Sequence, residues 1–196
     1  PDIQQVIEFK TDYFNSLVIE NQTFLLELLR DIQQQIRGEH GKIVLSVDDV
    51  PVEIGNHLDL LIDFVEFDGN KKGLITKVIH VLEKTAQDEV HFMETQKLLA
   101  KVEQFLNELS YDQEVDLVYE KLSLVTLLKA VGIRLVIDYT RLVDQIYAYM
   151  ELVNRFEGDR LFVCLNLRSF VKDEDLQQLV DMVLLHGMKL LLIDSH

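Results

Sequence analysis

The sequence predicts an α/β protein: a head built on a mostly parallel sheet, interrupted by an inserted α-helical leg. Three observations predict this. Three helical stretches end in glycine (Gly132, Gly158, Gly187), and each runs straight into an apolar, strand-like run. That alternation is the pattern of a parallel sheet with both faces covered. Residues 71–109 carry a long helical periodicity, and no proline follows Pro51. Between these patterns lies 103–121, EQFLNELSYDQEVDLVYEK. It holds six carboxylates (Glu103, Glu108, Asp112, Glu114, Asp116, Glu120) against one cation, Lys121.

Each element follows from local chemistry. Residues 3–10 and 16–19 read as short strands with a polar turn at 12–15. Asn21 is a suitable N-cap for a helix through Ile36. Phe24, Leu25, Leu28, Leu29, Ile32 and Ile36 form its apolar face, and Gly38 ends it. Residues 42–47 are β-rich and stop at Asp48, Asp49 and Pro51. The apolar stretch 57–65 predicts a helix. Asp68-Gly69-Asn70 predicts a loop. Leu74, Ile75, Val78, Ile79 and Leu82 then repeat at helical spacing. In the next helix, 86–109, Leu98, Val102, Phe105 and Leu109 follow the 4-3-4 spacing of an antiparallel helix pair. Ser123 caps a helix that Gly132 ends. Strands follow at 133–137, 161–166 and 188–193, with helices at 140–157 and 173–186 between them. The domain reading is a head of residues 1–65 and 115–196 and a leg of residues 66–114, with an acidic hinge at 108–120.

The chain has 196 residues, and 48% are apolar, enough for a packed core. The longest apolar runs, 122–137 and 184–193, are broken by Lys129, Arg134 and Lys189, so neither reads as a membrane span. The start at Pro1 and the end just after a strand-like run predict the ordered part of a slightly longer protein. The single cysteine, Cys164, lies inside an apolar run and reads as a core thiol in a reducing cytoplasm. The net charge of −15 opposes nucleic-acid binding unless the 19 Lys and Arg residues are gathered locally.

Several chemistries lack their residues. No GxxxxGK[ST] phosphate loop is present, although Asp194 ends a strand as the acid of such sites does. No serine sits in a nucleophile elbow. Glu8-Phe9-Lys10 matches the E-x-K core of metal-dependent nucleases, with Asp2 as the one further acid in view. His80 with Glu83 and His91 with Glu94 are i, i+3 pairs that read as surface pairs. The acidic segment 103–121 lacks EF-hand spacing. It reads either as a solvated hinge or as a set of hard oxygen ligands for a divalent cation.

Three further stretches have a characteristic order and spacing. They are Glu114-Val115-Asp116-Leu117-Val118-Tyr119-Glu120, Leu127-Leu128-Lys129-Ala130-Val131-Gly132-Ile133, and Leu161-Phe162-Val163-Cys164-Leu165-Asn166-Leu167 followed by 171–176. In this arrangement the chain resembles the Csn-two family of CRISPR-associated proteins, found in type II-A adaptation modules. The resemblance extends more weakly over 6–36, while the leg matches in pattern more than in residues. It implies a head of P-loop-NTPase-like shape without a Walker A motif, and α-helical legs. It also implies a homotetrameric ring that threads double-stranded DNA from its ends, without sequence preference and without catalysis. Calcium at the acidic joint, and work alongside the adaptation integrase complex and the RNA-guided effector nuclease, are implied too. The family's first residues and final segment lie outside this chain.

On that basis the expected calcium ligands are Glu108, Asp112, Glu114, Asp116 and Glu120. The expected DNA contacts are Arg30, Arg37, Lys42, Lys71, Lys72, Lys129, Arg134 and Arg141. Two alternatives remain: a metal-dependent nuclease using Glu8 and Lys10, and a protein-docking scaffold that uses the leg.

Overall fold

The computed structural model describes residues 6–10, 13–112 and 118–195. The chain divides into two compact units, one formed by Pro1–Gly69 with Ile137–His196 and the other by Asn70–Val136.

The first unit holds a four-stranded, all-parallel sheet. Its strands are β1 (Asn15–Ile19), β4 (Leu58–Leu61), β5 (Leu161–Leu165) and β6 (Lys189–Ser195), in the order β1-β6-β5-β4. The inner strands carry unbroken apolar runs, 161–165 in β5 and 190–193 in β6, as a sheet buried on two faces requires. Helix α1 (Gln22–Ile36) starts where Asn21 Oδ1 accepts from Phe24 N at 3.0 Å. It covers one face through a core of Ile19, Ile32, Ile54, Leu58, Leu161, Val163, Leu191 and Ile193. The alternate strand residues, Phe162, Cys164, Leu190 and Leu192, turn to the other face and are also buried. There α6 (Leu142–Glu157) and α7 (Asp173–Leu185) bring Val143, Ile146, Met150, Leu179 and Val183, all about 1% exposed or less. Gly158 and Gly187 end these helices at φ of 90° and 63°, the left-handed region that a side chain disfavours.

Two polar clamps lock this unit. The Arg160 guanidinium pairs with Glu157 and donates to the carbonyls of Gly55 and Leu58. It thereby ties the end of α6 to the step from α2 (Ile54–His57) into β4. On α1, Asp31 accepts from Lys42 N (2.8 Å), Ile43 N (2.9 Å) and Gln35 Nε2 (2.9 Å). That fixes the chain leading into a separate antiparallel hairpin, β2 (Leu45–Val47) with β3 (Val50–Val52). Asp48 and Asp49 at its tip both have positive φ, the backbone of a tight primed turn.

Three expected elements are corrected. Residues 57–65 do not form a helix, because 58–61 pair with β5 as a strand; a short apolar run does not reveal its own period. Residues 133–137 form no strand. The Asn70 side chain donates to Leu135 O (3.2 Å) and accepts from Leu135 N (2.7 Å), occupying the groups a ladder would use. No strand occurs at 6–10 either, where Tyr13 Oη and Asn15 Nδ2 donate to the Glu8 carbonyl.

The second unit contains α3 (Lys72–Ala86), α4 (Phe92–Asp112) and α5 (Leu124–Ala130), the last capped by Ser123 as expected. Helix α3 buries Leu74, Val78 and Ile79 and packs on α5. The expected helix pair does not cover α4. None of its residues is buried, and Leu98, Phe105 and Leu109 are 48%, 57% and 41% exposed. The 4-3-4 stripe exists, but α3 spends its apolar face on α5.

Candidate nucleic-acid interface

All eight cations expected to meet DNA are exposed. Arg30 lies on α1, Arg37 is its C-cap, and Lys42 follows the Gly38 turn. Among the described residues, no carboxylate sits in ion-pair contact with Arg30, Arg37, Lys72, Lys129 or Arg134. Arg141 differs. Its guanidinium grips Asp144 with two hydrogen bonds of 2.8 Å and reaches Asp175 (3.3 Å) and Gln178 (2.8 Å). It is thereby engaged in joining the start of α6 to the start of α7.

Four of the eight, Lys71, Lys72, Lys129 and Arg134, lie in the second unit. Lys71 is the N-cap of α3 and Lys72 its first residue, and no acid stands in that helix's first turn. The Asn70 amide bonds both backbone groups of Leu135, so Lys71 and Arg134 directly adjoin bonded residues. Lys129 lies in the last turn of α5. The sequence marks 68–70 as a loop and by itself assigns Asn70 no role. The available signal was the capacity of Asn to pair with backbone as a second strand would.

Of the expected cation ligands, Glu108 and Asp112 lie one turn apart on α4, and both are exposed. They line a shallow hollow together with Glu103 and Asn107. Gln104 Nε2 donates to Glu108 Oε1 at 2.8 Å, and Tyr119 Oη donates to Asn107 Oδ1 at 2.9 Å, which brings neighbouring Glu120 back towards α4. Glu114 and Asp116 lie outside the described residues. Among the described residues, no three His, Cys, Asp or Glu side chains converge as a metal set. The donors present are all oxygens, the chemistry of a hard cation such as calcium or magnesium.

The other motifs resolve into surface and core pairs. Lys10 Nζ lies 3.2 Å from Glu8 Oε2 with both exposed, and Asp2 is outside the described residues. His80 pairs with Glu83 at 3.5 Å. His91 turns instead to Asp88, and Glu94 pairs with Lys97. Asp194 is buried at the end of β6 and held by Arg168 Nε at 3.0 Å. Cys164 is buried. Among the described residues, no helix is long and apolar enough to cross a membrane.

A four-stranded parallel sheet covered on both faces, with a helical unit inserted between its strands and no phosphate loop, defines an α/β protein of the parallel-sheet class. The family model for the CRISPR-associated protein Cas_Csn2 matches residues 35–196. The chain therefore belongs to that CRISPR-associated family. The crystal structure of Stu0660 of Streptococcus thermophilus shares its fold, with a TM-score of 0.59 over 92% of this chain at 12% identity. The chain spans 63% of the length of that protein. No curated protein matches it.

Proposed function

We propose that the protein binds double-stranded DNA, without sequence preference and without cutting it, during spacer acquisition in a CRISPR system. It does so as a homotetrameric ring in the cytoplasm, alongside the adaptation integrase complex and the RNA-guided effector nuclease. Family membership supports the setting. The observation that carries the binding reading is an exposed basic set in a chain of net charge −15, of which Arg30, Arg37, Lys72, Lys129 and Arg134 have no described carboxylate in ion-pair contact. Phosphates suit such exposed cations, and contacts to phosphate carry no sequence information. Arg30, Arg37, Lys42, Lys71, Lys72, Lys129 and Arg134 supply them, while Arg141 contributes less because its guanidinium is already engaged.

Glu108, Asp112 and Glu120, with Glu114 and Asp116, would hold calcium. The cation would offset the mutual repulsion of carboxylates that assembly brings together.

Fluorescence anisotropy with random-sequence duplexes over a salt series tests the binding. Affinity should fall steeply and log-linearly with salt, be indifferent to sequence, and favour linear over closed circular DNA. Native mass with and without a chelator tests the assembly, which should lose tetramer when calcium is removed. Duplex incubated with magnesium or manganese should remain intact. Cleaved DNA, salt-independent binding or a mass indifferent to chelator would each refute the corresponding part.

A further inference from the structure

We propose that the exposed apolar stripe of α4 is a self-association surface, against which α4 of a second copy of this chain lies antiparallel. The inference rests on the assembly reading above and deepens it by assigning one contact between copies to a named surface.

The stripe is symmetric. Leu98, Phe105 and Leu109 are exposed and Val102 between them is partly buried, on a helix of 21 residues. At about 100° per residue these four side chains fall within about 60° of one another, a narrow seam. Asn107, which Tyr119 bonds, falls on the opposite side of the helix, so that contact does not cover the seam. The 4-3-4 spacing reads the same in both directions. An antiparallel two-fold pairing therefore sets Leu98 against the partner's Leu109 and Val102 against the partner's Phe105, and repeats both layers by symmetry.

Charge selects the same partner and the same orientation. The first half of α4 holds Lys97 and Lys101 with one acid, Glu94, which pairs with Lys97 at 3.2 Å. The second half holds Glu103, Glu108 and Asp112 and no cation. Reversed against itself, the helix brings Lys101 alongside the partner's Glu108, twice over; a parallel pairing would set like charges together. Gln104 bonds Oε1 of Glu108, and a carboxylate also accepts through its second oxygen. Copies of net charge −15 repel one another at a distance. A surface that complements its own reversed charge is where they can meet.

Light scattering on size-exclusion fractions, over a concentration series in calcium, tests this. Phe105→Glu should weaken assembly at least about a hundredfold, because each interface uses the phenylalanine twice. Lys101→Glu should weaken it about tenfold by turning two exposed attractions into repulsions. Should Phe105→Glu disturb the fold by circular dichroism, Lys101→Glu and crosslinking decide.

For crosslinking, Leu98→Cys and Leu109→Cys are made separately and also co-expressed. In the antiparallel pairing identical positions lie about 16 Å apart along the axis, 11 residues at about 1.5 Å each. A bismaleimide too short to span that distance should join the co-expressed variants to each other and neither variant to itself. Cys164 is buried and adds no background. Self-linked single variants, no link between the co-expressed pair, or wild-type assembly of Phe105→Glu and Lys101→Glu would each overturn the proposal and leave the stripe to a different polypeptide. If the unaltered protein is monomeric at every concentration, the assembly reading falls too. An intact wild-type tetramer with unaffected α4 variants sinks this contact alone.

Discussion

Replacing Arg160 with methionine should destabilise the sheet-bearing unit by about 3–5 kcal/mol, the cost of removing one partner from a buried ion pair. The Arg160 and Glu157 side chains are only 12% and 15% exposed. The guanidinium also donates to two backbone carbonyls, those of Gly55 and Leu58. Methionine keeps much of the volume but none of the donors, so it strands a carboxylate and two acceptors away from water. Urea unfolding followed by far-ultraviolet circular dichroism gives the loss as a lower midpoint. Adding Glu157→Leu should recover a good part of it, because the orphaned charge goes too. A midpoint for Arg160→Met close to wild type would show that solvent already screens the pair.

Asp31→Ala should cost about 2–4 kcal/mol at neutral pH: hydrogen bonds to a charged acceptor are worth about 1.5–3 kcal/mol each, and of the two backbone amides that lose theirs, the exposed one of Lys42 can turn to water. The effect is pH-dependent, and its sign is fixed. Burial alone pushes the Asp31 carboxyl up. The amides of Lys42 and Ile43, the Gln35 side chain and the Lys42 charge outweigh it, so the folded pKa lies below the ordinary 3.8. The carboxylate's contribution is therefore whole above about pH 4 and disappears as pH falls through the lowered folded value. Urea midpoints of wild type and variant should differ fully at about pH 6 and converge in stronger acid. A gap that stays constant across that range would mean the charge on Asp31 is irrelevant and only its shape matters.

Legibility from sequence followed physical rules that differ along the chain. Helix α1 was readable because Asn21, the apolar face and Gly38 agree on both ends and the period. Strands β5 and β6 were readable because a glycine stop precedes an apolar run too short for a helix. Strand β4 was not, because Leu58-Asp59-Leu60-Leu61 carries no period of its own and its conformation is decided by pairing with β5. Residues 133–137 have strand-like alternation, yet a side chain from 65 residues away takes their ladder positions. The stripe on α4 was real, but which surface it meets depends on where α3 and α5 settle. For the candidate interface, residue types were legible and gathering was not. Charge composition names Arg134, whereas only tertiary structure shows the Asn70 side chain bonded to its neighbour Leu135. It likewise shows Arg141 already occupied by Asp144 and Asp175.

Because β1 pairs with β6 alone among the described residues, the first strand of this sheet waits for its last. At a synthesis rate of about 5–20 residues per second, the nascent polypeptide carries an unmated strand for on the order of ten seconds or more while the rest leaves the ribosome. Helix α1 and the Asp31 clamp can form in that interval, since both are local. The sheet cannot close before β6 has been made, so a ribosome that stalls ahead of residue 189 leaves a product with its hydrophobic β1 edge bare and open to proteolysis.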